Sequence, residues 1–218
     1  MSRLAFVGGT GPQGLGLALR FAQAGEAVVI GSRSASRADD AARRIRAAVP
    51  GAVADGFENL DAIGRSDRVV LALPAAALSG FLEIARSHLG GKLVIDVVVP
   101  LIQREGFFEL APLPGAPSAG ELVQQAVPSA RVVSAFKNVP AARLQDLHAA
   151  LEGDVVFCSD DATARAEMAA LVAKLAGLRA VDAGRLANAR YLEAITALLL
   201  NLNHRFRAQT SIAIVGLP

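Results

Sequence analysis

Cysteine occurs once in this chain of 218 residues. Cys158 therefore has no internal partner, which excludes a disulfide scaffold and fits a reducing, cytoplasmic setting. It closes the apolar run Val155-Val156-Phe157 with no histidine near it in sequence, and reads as a small buried residue rather than a nucleophile. Histidine is scarce too: His88, His148 and His204 lie far apart, without the short spacings of a metal site. A nucleophile elbow is missing, and Asp160-Asp161 behind Ser159 read as helix-capping residues rather than an acid–base pair. Charge of one sign is also lacking, because 22 basic and 20 acidic residues leave only +2. No basic block with interleaved aromatics offers a nucleic-acid surface. The longest apolar stretches, 93–102 (broken by Asp96 and Pro100) and 194–200, are too short to span a bilayer. Gly8 and Gly9 cut the first apolar run before it reads as a secretory leader. With nucleic acid and membrane set aside, small molecules are the expected partners.

What the chain does have is glycine in a telling place. The apolar run Leu4–Val7 meets a turn spelling GxGxxG through Gly9, Gly11 and Gly14, and a helical apolar pattern follows at once. Strand, tight turn and helix N-terminus in that order form a dinucleotide fingerprint, with Thr10, Pro12 and Gln13 as its remaining members. The next strand, Val28-Val29-Ile30, lacks the terminal acid that would accept hydrogen bonds from a ribose 2′-hydroxyl. Ser32 and Arg33 stand there, with Arg37 four residues on, a hydroxyl and two guanidinium groups suited to a 2′-phosphate. The cofactor expected is NADP(H).

Strand and helix patterns alternate along the chain. Strands are predicted near 3–8, 27–31, 53–57, 68–73, 92–98, 131–136, 154–158 and 178–182; helices near 12–24, 36–48, 59–63, 76–88, 118–126, 141–150, 162–176 and 186–205. This predicts an α/β, Rossmann-type doubly wound parallel sheet with a small helical C-terminal extension. Strands such as Val69–Leu73 are apolar on successive residues, as strands covered on both faces are. Pro74 and Pro100 fall near the carboxyl ends of strands, where such a sheet opens its ligand crevice. Residues 1–218 read as a single domain whose part from about 141 onward is smaller, completes a second site and offers a homodimer interface. Tyr191, Leu192, Ile195, Leu198, Leu199 and Leu202 make much of the last helix apolar, so it needs more than one neighbour, either a second subunit or the rest of its own chain.

A dinucleotide site without a catalytic constellation suits an oxidoreductase whose two reactants are both redox coenzymes, because hydride passes directly between positioned rings. The runs Gly8–Gly14, Val29–Arg33, Val69–Pro74, Val132–Ala141, Asp182–Gly184 and Leu192–Thr196 fall, over nearly the whole chain, in the order of the F420-dependent NADP oxidoreductase family, which this sequence resembles. The resemblance implies hydride transfer between NADPH and the deazaflavin coenzyme F420. It implies that Thr10, Gly11, Pro12 and Gln13 wrap the pyrophosphate, that Ser32, Arg33 and Arg37 hold the 2′-phosphate, and that Leu73, Pro74, Val99 and Ala141 pack about the nicotinamide end. Lys137 stands where family members tend to carry histidine, and Ala75 where relatives carry a larger residue. Lys137 is accordingly the expected catalytic residue, a donor to charge developing on the acceptor's carbonyl. Two other readings stay open: an NADPH-dependent reductase of a flavin, ferric-flavin system or imine, and a non-catalytic NADP(H)-binding redox sensor.

Overall fold

The computed structural model describes residues 3–217. In chain order its first half runs β1 (Arg3–Val7), α1 (Pro12–Gln23), β2 (Ala27–Ser32), α2 (Ala35–Ala48), β3 (Ala54–Glu58), α3 (Asn59–Gly64), β4 (Arg68–Leu71), α4 (Ala75–Leu89) and β5 (Leu93–Asp96). The second half runs β6 (Leu101–Arg104), β7 (Phe107–Leu110), α5 (Ala119–Ala126), β8 (Arg131–Ser134), α6 (Ala141–Gln145), β9 (Gly153–Phe157), α7 (Ala162–Val172), β10 (Leu178–Asp182) and α8 (Ala189–Phe206).

Six strands form one parallel sheet in the order β3-β2-β1-β4-β5-β8. The order reverses between β1 and β4, so a crevice opens beyond their carboxyl ends. Successive residues of β1 divide between two cores: Leu4 and Phe6 pack with Leu17, Phe21 and Ile45, while Ala5 and Val7 pack with Ile63, Leu78 and Leu82. That division is the two-sided covering which the continuous apolar runs require. Ring contacts then extend the first core toward the site. Phe21 on α1 sits 6.2 Å from Phe6 and meets Phe136 edge-on at 5.8 Å, which ties the sheet to the chain beyond β8.

Three expectations need correcting. The last two strands do not join the main sheet: β9 and β10 pair with each other in parallel, and Ser134 and Cys158 make the single bridge back, each N–H giving 3.0 Å to the other's carbonyl. Residues 101–110, assigned no element from sequence, form a hairpin in which Arg104 faces Phe107 across Glu105-Gly106. Both turn residues have positive φ, 50° and 82°, the geometry that matches strand twist in a two-residue loop. The helix predicted over 141–150 stops at Gln145 because the Arg20 guanidinium on α1 takes the carbonyls of Arg143, Leu144, Asp146 and Ala149. Elsewhere the capping chemistry is ordinary. Asp161 accepts from Ala164 N at 2.8 Å to start α7, and Ser118 accepts from Glu121 N at 3.2 Å to start α5. No helix among the described residues is long and apolar enough to cross a membrane.

Candidate active site

A groove of about 920 Å³ follows the carboxyl edge of the sheet. Gly8, Thr10, Gly11 and Pro12 line it from the β1–α1 turn, Ser32, Arg33 and Arg37 from the β2–α2 junction, and Leu73 and Pro74 from the end of β4. The turn is built by hydrogen bonds: Gly9 N donates to Phe6 O and Gly31 O at 3.0 Å, and Gly11 N to Gly8 O at 3.0 Å. Its glycines divide the work. A Cβ on Gly9 would stand 2.6 Å from Phe6 O, and one on Gly14 would stand 2.9 Å from Gly9 Cα, so both are fixed by packing and neither faces the groove. At Gly11 the nearest atom to such a Cβ is Gly8 O at 3.4 Å, and the backbone there is extended (φ −77°, ψ 164°). The space in front of Gly11 thus belongs to the groove. No side chain caps α1, so its first-turn N–H groups and helix dipole are offered to an anion.

Arg33 and Arg37 are exposed, and neither guanidinium pairs with a carboxylate among the described residues. Ser32 lies between them and the sheet, its hydroxyl accepting from Ser34 N at 3.3 Å. Two unpaired cations beside a hydroxyl are a fitting seat for a phosphate dianion. Sequence reasoning missed the opposite wall. Glu58, Asn59, Leu60 and Asp61 line it, as do Ala77, Gly80, Phe81 and Ile84 on α4. Asn59 Oδ1 also accepts from Gly8 N at 3.2 Å, fixing the residue whose φ of +72° starts the turn. The signal was available, since β3 pairs with β2 in a register that sets Glu58 beside Ser32.

A second cavity of about 260 Å³ adjoins the first at α1, where Pro12 lines the groove and Gln13 lines the cavity. Val99 and Ala141 line this second space, with Val97, Phe136, Lys137, Asn138, Thr196, Leu199, Asn203 and Thr210. The residues expected about the nicotinamide are thereby split, Leu73 and Pro74 in the groove and Val99 and Ala141 in the cavity. The Gln13 side chain turns to the loop after β8. Its amide donates to Phe136 O at 3.0 Å and Val139 O at 3.4 Å, holding the loop that follows β8.

Lys137 lines the cavity, but its ammonium turns into the protein. The expected donor to an acceptor ring has its ammonium fully buried, giving hydrogen bonds to Asp96 Oδ2 at 2.7 Å, Glu193 Oε1 at 3.2 Å and the Val98 carbonyl. Its three donors meet three protein acceptors. The carboxylates are occupied in turn: Asp96 accepts from Ser134 Oγ at 2.7 Å and Val98 N at 3.0 Å, and Glu193 accepts from Ala119 N at 2.9 Å. Burial pushes the Glu193 carboxyl above its usual range, against the pull of Lys137. Burial likewise pushes the Cys158 thiol up to about 12, so it stays protonated and inert. Ahead of Lys137, Phe136 is fully buried at φ +56°, a conformation that costs on the order of 1–3 kcal/mol and persists only where surroundings impose it. The Phe21 ring and Gln13 amide do so from α1.

Residues 3–100 match the family model described as NADP oxidoreductase, coenzyme F420-dependent. The F420-dependent NADP reductase of Methanocaldococcus jannaschii is 37% identical over 99% of both chains. The chain belongs to the F420-dependent NADP reductase family. The Methanothermobacter thermautotrophicus member is 38% identical, covering 99% of this chain and 96% of its own. A crystal structure assigned as an F420-dependent NADP reductase from an Arthrobacter species superposes on this family member with a TM-score of 0.81 at 25% identity over 99% of each chain.

Proposed function

We propose that this chain transfers a hydride between NADPH and coenzyme F420. The observation that carries the NADP half is the unpaired Arg33–Arg37 couple beside Ser32, where an NAD site would hold an acid. Family membership at 37% identity over the full chain carries the F420 half. NADPH supplies the hydride when bound, and the protein contributes position. Gly11 and the first turn of α1 hold the pyrophosphate, Ser32, Arg33 and Arg37 the 2′-phosphate, and Leu73 and Pro74 flank the dinucleotide where it reaches the second cavity. Val99 and Ala141 form the far wall against which the acceptor lies. The cavity is predominantly apolar, which keeps water from the reacting carbons. Residues from about 141 onward complete this cavity through α6, α8 and Thr210.

We further propose a cytoplasmic homodimer. Tyr191, Leu198 and Phe206 of α8 and Phe107 of the hairpin are each more than half exposed (56–64%). Asn201 fastens the hairpin to that helix through Phe108 N at 2.7 Å and Phe108 O at 2.9 Å, so one rigid apolar surface is presented. Steady-state NADPH oxidation with F420, FMN, FAD or no acceptor tests the reaction: turnover with F420 alone supports it, and equal turnover with a flavin overturns it. Light scattering of Leu198→Glu tests the dimer, which this change should dissociate.

A further inference from the structure

Past Val97, whose N–H still donates to Leu71 O at 3.3 Å, the chain leaves the sheet, yet both backbone polar groups of Val98 are satisfied. Val98 N gives its hydrogen bond to Asp96 Oδ1 at 3.0 Å, and Val98 O takes one from Lys137 Nζ. The same ammonium reaches Asp96 Oδ2 and Glu193 Oε1, so a buried ion cluster brackets the backbone of one residue, Val98, and ties it to α8. The side chains on either side of Val98, Val97 and Val99, line the second cavity. The Lys137 backbone is held as well, its carbonyl accepting from Thr196 Oγ1 at 2.8 Å, and Asn138 Nδ2 reaches Asp154 O at 2.6 Å. We infer that Lys137 is a positioning residue: through Val98 O, Asp96 and Glu193 it fixes the Val97–Val99 wall and the Phe136–Asn138 loop at the separation the hydride acceptor needs.

Electrostatics support a purpose beyond stability. Well-packed apolar side chains commonly replace a buried ion pair with no loss of stability, whereas removing one partner strands the other charges. Here one cation serves two carboxylates on different elements, β5 and α8, and all three side chains are at most 1% exposed. Lys137→Met would leave Asp96 its two neutral donors, Ser134 Oγ and Val98 N, but would leave Glu193 with only Ala119 N. The stranded pair of carboxylates should push α8 away from the β5 end and widen the cavity.

The assignment rests on the hydride-transfer reading of this cavity, so its test has one arm that needs no acceptor. In Lys137→Met, amide hydrogen exchange at residues 97–99 and 136–138 should quicken by about tenfold or more while β1 and β2 amides keep their protection. In the assay, KM for F420 should rise about tenfold with kcat lowered less than about threefold and NADPH affinity unchanged. Lys137→Met/Glu193→Gln removes the stranded charge, keeps an acceptor for Ala119 N and supplies an amide donor; it should recover most of both losses and fold even where the single variant does not. A donor role for Lys137 predicts the opposite pattern: kcat falls, KM holds, and the second substitution restores nothing. Either that pattern or unchanged exchange at 97–99 and 136–138 overturns the assignment. If wild type shows no turnover with F420, the proposed reaction fails while the exchange arm still decides the positioning role.

Discussion

Gln13 donates a hydrogen bond to the carbonyl of Phe136 at 3.0 Å. This joins the first turn of α1 to the one buried non-glycine residue with left-handed backbone among the described residues. Gly16 and Arg20 continue the same face of α1. A Cβ on Gly16 would stand 2.7 Å from Leu144 Cβ, and Arg20 clasps the carbonyls that follow. One helix thus lines the groove at Pro12 and braces the wall of the second cavity through Gln13.

Gln13→Leu keeps the volume and removes the donor. Phe136 O and Val139 O lose their partner, so the variant should lose about 1–3 kcal/mol of stability. Hydride transfer measured in a single turnover should slow more than NADPH binding weakens. A variant with wild-type single-turnover rates would show that the cavity wall is held without α1.

Arg33→Ala should weaken NADPH by about 1.5–3 kcal/mol, the range of a hydrogen bond to a charged group, with NADH affinity nearly unchanged. Paired titrations with the two cofactors decide this. Equal losses would mean that Arg33 serves the fold and not the 2′-phosphate.

Gly11→Val should stay folded, because the residue is extended at φ −77° and its Cβ meets nothing closer than 3.4 Å. Dinucleotide binding should nevertheless vanish, since the side chain would fill the space offered to the pyrophosphate. Circular dichroism with an NADPH titration checks both halves, and retained binding would place the pyrophosphate elsewhere.

Glu193 gives the protein a pH signature. Its carboxyl is raised above the ordinary 4.5 chiefly by burial, so the folded state holds that proton more tightly than the unfolded chain does. Protonation therefore favours the fold: the contribution is complete below about 4.5 and is lost as pH rises through the folded value. Chemical denaturation at a series of pH values should show wild type losing stability relative to Glu193→Gln across that window. Parallel curves would contradict the shift.

Much of this was legible in the sequence because the responsible chemistry is local. The GxGxxG turn needs glycine for contacts within a few residues of itself, and Ser32-Arg33 ends its strand by register, so both could be read from neighbours in the chain. Lys137 could not. Its fate depends on Asp96 and Glu193, which approach it only after β5, β8 and α8 assemble, and a lone lysine at a strand end looks the same whether it faces a substrate or two buried carboxylates. The hairpin at 101–110 escaped because Glu105-Gly106 is a weaker turn signal than Asn-Gly, although both adopt positive φ. The separation of β9 and β10 from the main sheet was likewise hidden, for their apolar runs match those of the central strands and only pairing tells them apart.

A hydride handed straight from one coenzyme to the other leaves an isotopic trace. NADPH carrying deuterium at the transferred position of C4 is to be incubated with oxidised F420 and the enzyme, and the reduced F420 examined by mass spectrometry and NMR. One deuterium bonded to carbon should appear on each reduced F420, and none on carbon when unlabelled NADPH is used in D2O, where solvent deuterium enters only exchangeable positions. Label lost to water, or F420 recovered oxidised while NADPH is consumed, would contradict it.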